Sequence, residues 1–383
     1  MSSTPVSAGF LPLVDAAPLI VALELGFAEE EGLALSLTRA PSWSGLRDLL
    51  AFGQVDAASM LSPVPVASAL GLGGLPARID ALMVTSLGGE AVAASLPLAA
   101  KMRMAGYSFD FADANAARDS LRAVGEPLRI GIPFPFSMHA ELLYRWLGEA
   151  IDVHTVPPPM MADAVAAGDV DLFIVGEPWG SVAVERGVGQ LLLPGTAIWP
   201  ASPNKVLAMR HEQVEADPDL TGGLMRAVWR ACRWLALPEN RLATSEILAR
   251  PAYLDLSSEI IERILSGRVV VSPDGEERSA DRIVEFFSGC ATFPWRSQAE
   301  WIGDRLAARH GLEPAAARRI AREVFRSDLY RQHLGPAGAD LPAASSRLEG
   351  AVKERGLHPA AQGRVMLLPD AFFDRAIFDP DLR

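Results

Sequence analysis

Four side chains in this 383-residue chain have the types and settings of a site for a small anion. Trp43 stands in PSWSGLRDLL, between Ser42 and Ser44. There an indole N–H and the free amides of a helix expected from about Leu46 converge on one point. The plain alternative is a packed core or surface aromatic. His139 follows Ser137 by two residues, in the first turn of a second expected helix. The helix dipole there opposes protonation and a bound anion favours it, so a neutral donor and an imidazolium both stay open. Lys205 opens a strand in SPNKVLAMR and by itself reads as a solvated lysine. Glu90, behind two glycines in LGGEAVAAS, works against an anion unless it faces away, is protonated, or pairs with Lys205. Glu177 in GEPWG either marks a cleft edge or caps a helix.

No catalytic pattern accompanies these residues. The chain has no P-loop, no HExxH, no GxSxG and no dinucleotide fingerprint. Its six histidines are scattered without metal-ligand spacing. Cys232 and Cys290 give neither a zinc spacing nor a disulfide framework, and read as buried small hydrophobes. The expectation is a binding protein with no enzymatic activity, no cofactor and no metal.

The elements that must position these side chains alternate. Strand-like runs fall at 9–13, 33–38, 56–60, 81–86, 128–133, 151–156 and 171–175. Helix-like runs fall between them at 17–25, 46–52, 64–70, 138–147, 161–167 and 179–186. Such alternation means βαβ units and a mostly parallel sheet. LLAFGQVDAASMLSP and AVAAGDVDLFIVGEP, 115 residues apart, share helix end, Gly, Val-Asp, apolar strand and Pro. Gly53 and Gly168 suit left-handed helix ends, and Pro63 and Pro178 suit first turns. GFLPLVDAAPL and GIPFPFSMHAEL are a looser second match. Two similar α/β lobes are therefore expected, with a cleft beyond the carboxyl ends of their strands. The points facing it are Asp15–Ala16, Ser42–Ser44, Leu61–Ser62, Ser137–His139, Pro157–Pro159 and Gly176–Trp179. Lobe crossings are expected near 87–95 and 204–210. Beyond residue 211 the spacing turns helical, over 220–238, 257–267 and 315–330.

Half the residues are hydrophobic, as in a packed globular chain, and the net charge of −12 repels nucleic-acid phosphate and anionic membranes. Any anion must be captured by local donors. No segment reaches eighteen uninterrupted apolar residues, and the N-terminus shows no basic-then-apolar leader, so a cytoplasmic location is expected.

GFLPLVDAAPLIVALELGF, SWSGLRDLLAFGQVDAASML, VPPPMMADAVAAGDVDLFIVGEPW and SPNKVLAMR together resemble the nitrate/bicarbonate-binding protein family. FFSGCATFPWRSQAEW resembles that family's C-terminal aromatic segment. The resemblance implies an α/β fold of the two-lobed periplasmic-binding-protein type, type II topology, with a helical C-terminal part. Lobe 1 would comprise 8–90 and 205–330, lobe 2 would comprise 91–204, and 331–383 would be an extension packed on the body. It also implies a nitrate or nitrite site of Trp43, Ser44, Gly89, Glu90, His139, Pro159 and Lys205, without metal. Lys205 matches the lysine that separates nitrate binders from bicarbonate binders, which use an acidic residue and calcium. Glu90 departs from the family, which has Gln or Asn there. The branch expected is the cytoplasmic sensor, NasS, which controls a NasT-type RNA-binding antiterminator and touches neither nucleic acid nor membrane itself. The alternatives are the substrate-binding protein of an ABC-type nitrate or bicarbonate transporter and, further off, a thiamine-pyrimidine-synthase-like enzyme.

Overall fold

A computed structural model describes residues 3–74 and 77–381, so the last two residues of the expected extension lie outside it. Ten strands carry the fold: β1 Thr4–Phe10, β2 Leu33–Arg39, β3 Ala57–Leu61, β4 Ile79–Gly88, β5 Glu90–Ser95, β6 Ile130–Ile132, β7 Val153–Thr155, β8 Leu172–Gly176, β9 Gly189–Pro194 and β10 Pro203–Arg210. One sheet runs β4-β10-β3-β1-β2, with the short strand Val284–Glu285 beside β4; the other runs β7-β6-β8-β5-β9. The pattern is duplicated. Three parallel strands (β2-β1-β3 or β7-β6-β8) are completed by an antiparallel strand, β10 or β5, and an outer strand, β4 or β9.

The repeated Val-Asp has a shared physical reason. Asp56, just ahead of β3, accepts the Ser7 backbone N–H on β1 at 2.8 Å, while its own N–H donates to the Ser7 carbonyl. Asp171, just ahead of β8, does the same with Arg129 at the entry to β6. Gly53 (φ 70°) and Gly168 (φ 78°) end the preceding helices in the left-handed conformation, as their positions require. β3, β4, β5, β8 and β9 are buried along their whole length, which explains their near-continuous apolar runs.

The structure corrects several boundaries. β1 runs Thr4–Phe10 rather than 9–13, because its ladder with β2 begins at Thr4 opposite Leu33. Pro12 has no N–H for that ladder, and Val14–Ala16 is a 3-10 turn. The chain first crosses between sheets at Gly89, but it returns over 195–202, ahead of the stretch expected near Asn204. Residues from Pro203 are already paired between β3 and β4. The helix expected over 315–330 is two, Pro314–Ala321 and Ser327–Leu334. The break occurs because the Ala81 N–H donates to Val324 O and Arg326 N–H donates to Ala81 O, both at 2.9 Å. A helix at Arg296–His310 fills the region expected only as an aromatic segment.

Three aromatic rings hold the return crossing in place. Trp199 stacks on Phe372 at 4.6 Å and tilts against Trp301 at 4.9 Å, tying residues 195–202 to the Arg296–His310 helix and to the C-terminal segment. No helix among the described residues is long and apolar enough to cross a membrane.

Candidate anion site between the lobes

Each side chain is set by a helix cap or a strand irregularity. Ser42 Oγ accepts the Gly45 N–H at 3.1 Å, so the first helix starts at Trp43 and not near Leu46. The indole therefore belongs to the first turn, and it is buried, only 2% exposed. Ser137 Oγ caps the Met138–Leu147 helix through the Ala140 N–H, which fixes His139 in its first turn, also buried.

Lys205 overturns its plain reading as a solvated lysine: it is fully buried in the middle of the first sheet. Its Nζ donates to Asp15 Oδ2 at 2.7 Å and to Asn204 Oδ1 at 2.9 Å, and sits 5.0 Å from the centre of the Trp43 ring. Neighbouring residues on a regular strand point to opposite faces. Asn204 and Lys205 meet because the β10–β4 ladder shifts register on both sides of Lys205, re-aiming the side chain as a bulge does. The Asn204 amide then spans the site, donating to Gly88 O at 2.8 Å, to Glu90 Oε2 at 2.6 Å and to Asp15 Oδ2 at 3.3 Å. Glu90 thus bonds to Asn204 and not to Lys205. Gly89 holds φ at 101°, and a Cβ there would stand 3.2 Å from Asp15 Oδ2, so the crossing needs glycine.

Burial pushes the Asp15 carboxyl up against the opposing pull of Lys205, and pushes Glu90 up to about 7. Burial, aided by Lys205, holds His139 well below its ordinary value, so the neutral ring is the form present. Trp43 Nε1, both ring nitrogens of His139, Asp15 Oδ1, Glu90 Oε1 and Ser86 Oγ, opposite Lys205 on β4, are buried without hydrogen-bond partners. Lys205 keeps a third N–H beyond the two in use. The Lys205 ammonium, the Trp43 indole, the Ser86 hydroxyl and one nitrogen of the neutral His139 ring can donate to a planar anion of low basicity, whereas the Asp15 and Glu90 oxygens are acceptors unless protonated.

Two expected members share no hydrogen bond with the Lys205 cluster. Ser44, second in its helix, is exposed and meets only the Ser42 hydroxyl at 3.1 Å. Pro159 lies half-buried in the Pro158–Met160 turn, and no hydrogen bond or ring contact among the described residues joins it to Lys205. Asp15 and Asn204, absent from the expected set, are instead the direct partners of Lys205. Glu177 caps its helix through the Ser181 N–H at 3.0 Å, and burial pushes its carboxyl up to about 7.

The lobes are closed. Val14 N–H donates to Glu177 O at 2.9 Å, Glu177 N–H to Gly89 O at 2.8 Å, and Trp179 Nε1 to Pro12 O at 3.0 Å. A surface cavity of about 680 Å³ lined by Phe111, Thr196 and Arg282 includes none of the site side chains. Asp80, His211 and Glu215 bring ligand atoms within 4.8 Å of one another, a grouping the sequence did not suggest, but Arg326 Nη1 holds Asp80 Oδ2 at 2.5 Å.

Residues 1–249 match the model of the NMT1-like family. Nitrate/nitrite binding protein NrtA of Nostoc is 27% identical over all of this chain and 84% of its own length. Nitrate import ATP-binding protein NrtC of Synechocystis is 32% identical over 85% of this chain, which spans only half of NrtC. The crystal structure of the periplasmic nitrate-binding protein NrtA from Synechocystis superposes with a TM-score of 0.83 at 25% identity, covering 99% of this chain and 96% of that one.

Proposed function

Because the chain belongs to the NMT1-like family and has the two-lobed periplasmic-binding-protein fold, we propose that it binds nitrate or nitrite for an ABC-type import system. One observation carries this reading. A buried lysine stands 5.0 Å from the Trp43 ring, and the buried nitrogens of Trp43 and His139, one residue from each lobe, have no partners. A planar oxyanion entering the open cleft would take the third Lys205 N–H, the indole N–H and one imidazole nitrogen as donors. Closure through the Val14–Glu177 and Trp179–Pro12 bonds then removes water, so each contact acts in a less polar medium. The closed surface is the state a transporter would read. NrtA and NrtC are named for nitrate binding and import, which supports this reading over the cytoplasmic sensor with a NasT-type partner. The sensor would use the same site and differ in what reads its closure. No chemical step is assigned to the site.

The test is a thermal-shift series with nitrate, nitrite, sulfate, and bicarbonate with calcium. Nitrate or nitrite at a hundredfold excess over Kd should stabilise the fold by about 2.7 kcal/mol. An unchanged melting temperature with both would overturn the reading, and a response confined to bicarbonate with calcium would replace the ligand.

A further inference from the structure

The charges buried with Lys205 do not leave it free for an anion. Asp15 already pairs with it, and Asn204 links the pair to a second carboxyl group, Glu90, through one amide. We infer that Glu90 sets the charge state the site accepts, so that one anion is taken up together with one proton, held as the Glu90 carboxylic acid. This rests on the reading that the site binds a small monoanion.

The balance is simple. With Glu90 ionised, Asp15, Lys205 and Glu90 sum to −1. An added monoanion would make −2 in a site closed to water, where uncompensated charge is expensive. If Glu90 takes a proton as the anion enters, the sum stays at −1. The proton adds to a carboxylate oxygen, no other bond forms or breaks, and solvent supplies it. Glu90 is fully buried, lies flat against Gly195 where no Cβ would fit, and has one oxygen without a partner. Asn204 passes its charge state on to Lys205. Burial, and secondarily the negative Asp15, favour the acid, against the pull of Lys205.

The other titratable groups on elements around Glu90 do not replace it. His139, on a helix of the same lobe as β5, stays neutral beside Lys205. The Glu177 carboxylate is turned to the Ser181 N–H, and Glu285, beside β4, accepts the Phe287 and Ser288 N–H groups. Arg282 meets this region through its carbonyl, which accepts Thr196 Oγ1.

The experiment is calorimetric titration of the full chain with sodium nitrate from about pH 6 to about pH 8.5, in two buffers of different ionisation enthalpy. Affinity should fall about tenfold per pH unit above about pH 7, with about one proton taken up per anion at the alkaline end. Glu90→Gln should flatten the profile and abolish proton uptake. Glu177→Gln should keep the slope, and His139→Gln should bind more weakly with the slope intact. A flat wild-type profile, no proton uptake, or a slope persisting in Glu90→Gln overturns the inference. The proton count on the wild-type chain decides the matter even if a variant fails to fold. Absence of nitrate binding at every pH, with nitrite equally silent, overturns the anion site itself.

Discussion

Trp43 turns its ring face toward the Lys205 ammonium, and its Nε1 has no hydrogen-bond partner. Trp43→Phe keeps the face and removes the donor. Nitrate affinity should drop about tenfold to a hundredfold, the worth of a hydrogen bond to a charged group, with the ligand-free melting temperature nearly unchanged; calorimetry and thermal melts would check both. Lys205→Met acts differently, because it strands the Asp15 carboxylate in the interior. It should destabilise the chain by about 3–5 kcal/mol in urea unfolding, and adding Asp15→Asn should recover most of that without restoring binding. A single mutant as stable as wild type would sink that account. Trp43, His139 and Glu90 stood out because cap residues and glycines punctuate the sequence around them, whereas Lys205 by itself read as solvated and entered only through the family resemblance. The Lys205–Asp15 pair was not legible, since it joins residues 190 apart, and Asn204 was hidden by a ladder irregularity that leaves no mark on composition.

Strands β3 and β8 and the Gly–x–Val-Asp punctuation ahead of them were readable because an all-buried strand is an uninterrupted apolar run between helix ends. The Arg296–His310 helix was not: its buried face mixes Gln298, Glu300 and Gly303 with Trp301 and Leu306, so no apolar stripe repeats. That helix makes a contact across the molecule worth testing. Arg309 donates through both guanidinium nitrogens to Glu141, a fully buried carboxylate on the His139 helix, at 2.9 Å through Nη1. Arg309→Met should cost about 3–5 kcal/mol by leaving Glu141 unpaired, and Glu141→Gln in the same chain should return much of it. Denaturant midpoints of the single and double variants would show this, and additive losses would refute it.

At the scale of the whole molecule, buried acids make stability depend on pH in an unusual direction. Glu90 and Glu177 hold protons up to about 7 in the fold but release them near 4.5 when unfolded. Their contribution is therefore complete below the unfolded value and lost as pH rises through the folded one. His139 works oppositely: its contribution is present above 6.5 and lost only as pH falls. From about pH 6.5 to about pH 8.5 the ligand-free chain should lose about 1 kcal/mol per glutamate, reduced in Glu90→Gln and Glu177→Gln; urea midpoints rising with pH would contradict this. The exchange of completing strands between sheets has a further consequence, in time. All five strands of the second sheet lie within residues 90–194, whereas the first sheet waits for β10, at 203–210, to fill the gap between β3 and β4. On a ribosome, the lobe begun first is finished last. Until residue 210 emerges, two apolar strand edges stand open to any passing chain, and that interval is when a nascent copy most needs a chaperone.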